Sequence, residues 1–360
     1  MTTETFTLTV VDQSPIPEGA TPGEALRNSV RLAQAAERFG YARYWVTEHH
    51  STNSLAGSAP EILIGQIAGA TSSIRVGSAG VMLSHYSALK VAEVFRMLAT
   101  FFPGRIDLGI GRAPGSDQKT AQALAYPKPM ADVYHTFPAQ VSDVLAYLHD
   151  LTPEDHPFHG IRAQAGAVPE GLPEVWLLGS SDYSAQLAAQ MGLPFAFADF
   201  FGRSEEWGPK VVALYREQFQ ASDFLAAPRA NATLQVFCAP TDEEAEYVAS
   251  STRLLTLRRR MGHPNPRLIH PDDAIKAVQH PDLTGYVGEM TSHVIAGSPA
   301  TVRAGVLAAA ERYGTTDIGI AGNCFFYEHR ERSYRLIAEA FGLTSAASPA
   351  PAMPVPVPEG

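Results

Sequence analysis

The feature of this sequence that most restricts its fold is a regular alternation of short β-branched runs with segments of helical periodicity. The first three runs, residues 6–11, 41–47 and 74–83, each precede a stretch with apolar residues at three- or four-residue spacing. Further strands are predicted at residues 105–111, 174–179, 195–199, 233–239 and 316–321. Alternation at this spacing predicts a parallel sheet, and about eight such units favour a closed (β/α)₈ TIM barrel.

We expect one barrel domain over residues 1–343, with two segments that depart from the pattern. Residues 258–292 are rich in Pro and His and predict a lid-like insertion before the last unit. Residues 344–360 are rich in Ala and Pro, so we expect a disordered tail. An open dinucleotide-binding sheet is disfavoured because no G-x-G-x-x-G follows the first strand.

Composition excludes several classes of protein. Hydrophobic residues make up 45% and charged residues 18%, which is incompatible with a wholly disordered chain. The net charge of −10 argues against a nucleic-acid partner. No stretch is apolar enough to span a membrane and the N-terminus does not resemble a signal peptide, so we expect a cytoplasmic protein. Two cysteines, Cys238 and Cys324, provide no disulfide framework.

Polar residues cluster after the predicted strands, where a barrel places its active site. Gly179-Ser180-Ser181 opens a helix that also carries Ser184, and free backbone N–H groups and hydroxyls there can bind a phosphate. Arg112 follows the preceding strand and can supply a bidentate charge to the same phosphate. The alternative is an ordinary helix cap with Arg112 paired to a local carboxylate.

Glu48-His49-His50 follows the second strand. A histidine at a barrel mouth can act as acid or base near neutral pH, although ordinary polar loop residues are a common alternative. Adjacent residues of an extended segment point to opposite sides, and no third ligand stands at a metal-type spacing. We therefore predict no metal site.

Four ordered stretches resemble the bacterial-luciferase-like flavin monooxygenases, in particular their group 1 branch. They cover residues 45–50, 74–83, 103–115 and 176–186 and read WVTEHH, IRVGSAGVML, PGRIDLGIGRAPG and WLLGSSDYSAQ. Their order and spacing extend over roughly residues 6–340. The resemblance implies a (β/α)₈ barrel that binds reduced FMN at the strand ends.

The resemblance also implies roles for individual residues. His49 and Glu48 would be the catalytic residues, with His49 near the flavin ring. Arg112, Ser181 and Ser184 would hold the flavin phosphate, with Gly179 and Ser180 also at the cofactor site. A non-prolyl cis peptide beside the ring would fall at Ala79-Gly80. Position 180 is acidic in the luciferase proper and is Ser180 here, so light emission is not expected.

The implied reaction is oxygenation of a small organic substrate, such as a secondary metabolite, through a C4a-hydroperoxyflavin. His49 would shuttle a proton, and His85, Phe200 and Phe237 are candidates for the substrate pocket from their strand-end positions, with plain core packing as the alternative. Without a nicotinamide-binding motif, we expect a separate NAD(P)H:flavin reductase to supply FMNH₂. Family members are commonly dimers, packed through helices early in the chain, so the resemblance implies a homodimer.

Two other functions remain open. A deazaflavin (F420)-dependent oxidoreductase on the same barrel would transfer hydride without oxygen chemistry. A non-catalytic partner subunit would be expected to lose His49 and the anion site, and both are present. A barrel metallohydrolase is disfavoured because the strand ends lack a set of metal ligands.

Overall fold

The computed structural model describes residues 5–127, 135–165, 170–201, 206–263, 266–280 and 293–344. In these ranges the strands are β1 Thr7–Asp12, β2 Arg43–Val46, β3 Arg75–Ser78, β4 Val81–Met82, β5 Ile106–Gly111, β6 Glu174–Gly179, β7 Phe195–Ala198, β8 Ala230–Cys238, β9 Val294–Gly297 and β10 Asp317–Ala321. The helices are α1 Pro22–Phe39, α2 Pro60–Ala70, α3 Ala88–Phe101, α4 Gln118–Ala125, α5 Phe137–His149, α6 Asp182–Gln190, α7 Trp207–Glu217, α8 Asp242–Arg260, α9 Pro271–Val278, α10 Pro299–Tyr313 and α11 Tyr327–Phe341.

Eight parallel strands close into a barrel. The order is β10-β1-β2-β3-β5-β6-β7-β8, and β10 pairs in turn with β8 to complete the ring. The short β4 pairs with β5, and β9 extends the sheet beyond the second half of β8. The predicted (β/α)₈ TIM barrel is therefore confirmed, because strand–helix alternation with right-handed crossovers leaves few other ways to bury both faces of a parallel sheet.

Two cores sit on either side of the strands. The larger one lies between the outer faces of the strands and the helices, where Leu32, Ile64 and Phe95 are almost completely buried. A smaller cluster fills the barrel interior, where the rings of Trp45 and Trp176 meet edge to face with centroids 5.2 Å apart. Such filling makes the lower barrel a packed core and leaves the carboxyl ends of the strands for the site.

Charged residues close the bottom of the barrel. Arg43 donates to Asp317 at 2.9 Å, and Asp107 is fully buried against Arg75 while it accepts a hydrogen bond of 2.8 Å from Trp45 Nε1. Each buried carboxylate therefore has a cationic or N–H partner, as burial requires.

The third strand differs from the prediction of one continuous run over residues 74–83. It breaks into β3 and β4 at a cis peptide between Ala79 and Gly80, the position that the resemblance implied. Next to the break, a Cβ at Gly109 would lie 2.0 Å from the carbonyl oxygen of Ser78, so only glycine allows β5 to approach β3 this closely.

The structure adds elements that the sequence did not predict. Helix α4 and strand β9 were missed, because both are short and lack strong periodicity. The predicted insertion begins inside α8, which continues to Arg260, and it contains α9. Its residues 281–292 lie outside the described residues, and so does the predicted tail after Thr344. Within the described part, no helix is both long and apolar enough to cross a membrane.

Candidate active site

A cavity of about 320 Å³ opens at the carboxyl ends of the strands, where loops rather than helices cover the barrel. Its wall includes most of the residues predicted from the sequence: His49, Ala79, Gly80, Arg112, Gly179, Ser180, Ser181, Ser184 and Phe200. These residues come from five separate strand ends, so the barrel closure itself brings them together. A cavity of this size at this face is where TIM-barrel proteins bind their ligands.

One wall of the cavity is the start of helix α6. Ser181 occupies the N-cap position, yet its hydroxyl makes no capping hydrogen bond and instead lies 3.3 Å from Ser184 Oγ. A Cβ at Gly179 would lie 2.1 Å from Ser184 Oγ, so glycine lets the strand pass directly under the helix start. The first turn therefore presents N–H groups, two hydroxyls and the positive end of the helix dipole to the cavity.

Arg112 faces the same helix start. Its guanidinium stacks on the ring of Tyr183 at 3.9 Å from the centroid, which fixes the side chain beside the serines. Among the ion pairs of the described residues, none includes Arg112, so it is not paired with a local carboxylate. A partly buried guanidinium, two hydroxyls and a helix N-terminus together form a site suited to a phosphate.

His49 lies on the cavity wall after β2. Its Nδ1 is 3.0 Å from Thr47 Oγ1 and its backbone N–H donates to the Gly57 carbonyl at 2.8 Å, which leaves Nε2 for a bound molecule. Burial, with the positive charge of Arg259 and the neighbouring His50, lowers the pKa of His49 to about 4. The imidazole is therefore neutral at pH 7 and can accept a proton.

Glu48 does not lie on the wall of the cavity. Its side chain is fully buried, where Oε2 accepts from the Met82 N–H at 3.0 Å and Oε1 accepts from the Tyr86 hydroxyl at 2.7 Å. Its Oε1 also lies 2.7 Å from His50 Nε2. The carboxylate therefore ties the loop after β2 to β4 and positions His49 rather than touching a ligand.

A second compartment of about 260 Å³ adjoins the first, and His49 and Phe200 lie on the walls of both. Its other lining residues come from the loops after β1 and β10, from β8 and from the end of α8: Gln13, Gln235, Thr252, Leu255, Thr256, Arg259, Arg260 and Asn323. The sequence placed Gln13 and Asn323 at strand ends, but the run of three arginines at residues 258–260 predicted only a solvent-exposed helix end. Only the fold reveals that the last turn of α8 faces the barrel mouth.

The three residues suggested for a substrate pocket occupy different environments. Phe200 lines both compartments. His85 is buried with Nε2 2.9 Å from the Pro114 carbonyl oxygen, and Phe237 packs against Val248 in a separate core cluster. Neither His85 nor Phe237 lies on the wall of the two described compartments, because each packs against other residues.

The described residues contain no group of three or more His, Cys, Asp or Glu side chains that could hold a metal ion. Both cysteines are buried and unpaired, and burial raises the pKa of each thiol to about 12. Neither thiol is therefore activated as a nucleophile near neutral pH.

Comparison with known proteins places this site in a family. The model of the luciferase-like monooxygenase family matches residues 1–316. The chain belongs to the luciferase-like monooxygenase family. The matched range includes all the predicted site residues, from Glu48 to Phe237.

Several proteins are similar to about two thirds of this chain or more. A luciferase-like monooxygenase of Escherichia coli strain K12 is 37% identical over 93% of this chain and 97% of its own length. The N-acetyl-S-alkylcysteine monooxygenase of Bacillus subtilis strain 168 is 41% identical over 66% of this chain and 70% of its own length. The crystal structure of apo-MsnO8 superposes with a TM-score of 0.84 at 40% identity, covering 94% of this chain and 99% of that one.

More distant structures share the fold alone. The oxygenating constituent of 3,6-diketocamphane monooxygenase in complex with FMN gives a TM-score of 0.71 at 19% identity, over 93% of this chain and 97% of that one. An F420-dependent secondary alcohol dehydrogenase gives a TM-score of 0.64 at 13% identity, over 94% of this chain and 99% of that one. Proteins that share this fold thus include one in complex with FMN and one that depends on F420.

Proposed function

We propose that this protein is a monooxygenase that binds reduced FMN in the 320 Å³ cavity and uses O₂ to oxygenate a small organic substrate. The observation that carries the proposal is the convergence of a phosphate-type site and a neutral histidine on one cavity. Arg112, Ser181 and Ser184 form the anion site, and His49 lies on the wall of the same cavity. The family match supports the same chemistry.

The residues present fit a flavin mononucleotide. Arg112 and the first turn of α6 would hold its phosphate, because the hydroxyls of Ser181 and Ser184 are not used in helix capping. The wall at Ala79 and Gly80 carries little side chain, which leaves space for a flat ring system. When bound in its reduced form, the flavin supplies the electrons that activate O₂.

The protein's own contribution to the chemistry is proton control and exclusion of water. His49 is neutral, is oriented by Thr47 through Nδ1, and offers Nε2 to the reacting groups. Glu48 positions this loop through its buried hydrogen bonds. Phe200 lies between the two compartments, where an apolar ring limits access of water to the reacting atoms.

The choice between FMN and F420 can be tested by equilibrium titration. Each cofactor in its oxidised form is added to the protein, and quenching of flavin or deazaflavin fluorescence gives the dissociation constant. We expect FMN to bind at least about tenfold more tightly than F420, because Arg112 and the first turn of α6 can make more charge-assisted hydrogen bonds to the terminal phosphate monoester of FMN than to the phosphodiester of F420. Tighter binding of F420 would favour hydride transfer without oxygen.

We also propose that FMNH₂ comes from a separate NAD(P)H:flavin reductase and that the protein is a homodimer. Ile62, Met97 and Phe101 on helices α2 and α3 are 67%, 53% and 70% exposed, and such large apolar side chains support a subunit contact there. Rapid NAD(P)H oxidation by the purified protein alone would contradict the first proposal. A monomeric mass in sedimentation equilibrium would contradict the second.

A further inference from the structure

The compartment at the end of α8 carries positive charge in an acidic protein. Arg259 and Arg260 line it, and Arg259 Nη2 donates to Ser54 Oγ at 3.1 Å. The described lining residues include no Asp or Glu, although the whole chain has a net charge of −10. In the described part of the protein, no carboxylate forms an ion pair with Arg259. This end of the cavity therefore attracts small anions.

Two buried hydrogen-bond acceptors lie beside the arginines. The side chains of Gln235 and Asn323 are more than nine-tenths buried, and Gln235 Oε1 and Asn323 Oδ1 have no hydrogen-bond partner among the described residues. Asn323 Nδ2 donates to Gln13 Oε1, which leaves its own oxygen as the unused group. Each oxygen therefore lacks a donor, and a bound molecule whose amide N–H reaches it would supply one.

This compartment adjoins the cavity in which we propose that the flavin binds. His49 and Phe200 lie on the walls of both compartments, so a molecule anchored near Arg259 extends toward the histidine. The anchor and the phosphate site at Arg112 thus lie in two neighbouring compartments. This arrangement separates the position of a substrate anchor from that of the cofactor anchor.

We propose that the substrate is a small carboxylate with an N–H donor beside the carboxylate, as in an N-acylated amino acid, and that Arg259 binds its carboxylate. This inference rests on the proposed function, since it takes the first compartment to be the flavin site. Gln235 and Asn323 accept from the N–H group, and the remaining part of the substrate projects toward His49. Arg259 is then a specificity-determining residue.

Three probes separate these contributions. Protein saturated with oxidised FMN is titrated calorimetrically with N-acetyl-L-leucine, with its neutral amide, and with 4-methylpentanoate, which keeps the carboxylate but lacks the N–H group. We expect N-acetyl-L-leucine to bind at least about tenfold more tightly than the neutral amide, the scale of a charge-assisted contact. We expect the affinity for 4-methylpentanoate to lie between the affinities for N-acetyl-L-leucine and for the neutral amide.

A matched pair of variants tests the residue itself. In Arg259→Gln the preference for the carboxylate should disappear, and Arg259→Lys should restore part of it. Arg258→Gln removes the same charge one residue earlier in α8, outside both described cavity walls, and should keep the preference. FMN affinity should change by less than about twofold in all three, since the phosphate site is elsewhere.

Equal affinity of the wild-type protein for N-acetyl-L-leucine and its amide, including undetectable binding of both, would overturn the proposal. So would a preference that survives in Arg259→Gln. Loss of FMN binding in Arg259→Gln would show that the flavin phosphate, rather than a substrate carboxylate, occupies this end. Failure of FMN to bind the wild-type protein, with the carboxylate preference intact, would instead contradict the proposed function alone.

Discussion

Replacement of Arg112 by alanine tests the phosphate site. The guanidinium lies against the Tyr183 ring at 3.9 Å and takes part in none of the ion pairs of the described residues. Removing the guanidinium therefore leaves no buried carboxylate without a partner. The substitution should mainly lower the affinity for a bound phosphate. Charge-assisted hydrogen bonds contribute about 1.5–3 kcal/mol, which corresponds to an increase of about 10- to 150-fold in the dissociation constant of FMN.

The assay is titration of oxidised FMN, followed by quenching of its fluorescence. The loss should shrink with rising ionic strength, because the wild-type interaction is partly Coulombic. Removal of the contact with Tyr183 costs only about 0.5–1 kcal/mol of stability, so the melting temperature of the variant should fall by a few degrees at most. Arg38→Ala, an exposed change on α1, is the matched control and should leave FMN affinity unchanged.

Two results would refute this reasoning. An unchanged FMN dissociation constant in Arg112→Ala would show that the phosphate binds elsewhere. A large loss of melting temperature with little change in FMN affinity would show that Arg112 supports the fold rather than the ligand.

The remaining predictions concern His49 and the helix start. His49→Ala should keep FMN affinity within about twofold but lose substrate oxygenation, measured as oxygenated product per flavin oxidised. Folding lowers the pKa of His49 from 6.5 to about 4, so the contribution of the neutral imidazole to stability is complete above pH 6.5 and is lost as the pH falls toward 4. Melting curves of His49→Asn should therefore show less destabilisation by acid than those of the wild type. The control His135→Asn, at an exposed position, should be destabilised by acid as much as the wild type. Gly179→Ala should weaken FMN binding at least about tenfold, since its Cβ would lie 2.1 Å from Ser184 Oγ, whereas Gly69→Ala on α2 should have no effect.

Much of the barrel could be predicted because its physical signals are local. Strands such as β5 and β6 are apolar runs bounded by turn residues, and their ends fall within one residue of the prediction. The site residues followed from the same logic, since the carboxyl ends of parallel strands meet at one face of a barrel. This is why His49, Arg112 and Ser181 could be grouped although they are far apart in the sequence.

The rest depended on packing between distant segments. The short β9 forms only because β8 is long enough to pair with both β10 and β9, which no local pattern indicates. Likewise, a run of three arginines predicts a helix end, but whether Arg259 faces solvent or a cavity depends on how α8 docks on the barrel. Phe237 illustrates the converse, because it lies in the expected strand but packs into a core cluster rather than on a cavity wall.

The central claim is that the cavity holds reduced FMN and controls its reaction with O₂. Anaerobic protein with reduced FMN is mixed rapidly with oxygenated buffer, and the flavin absorption spectrum is followed over time, with free reduced FMN and the Arg112→Ala variant as controls. We predict that the wild-type protein slows the return to oxidised flavin through a spectrally distinct oxygenated species that is absent from free FMN and diminished in the variant. Reoxidation identical to that of free reduced FMN would contradict the account.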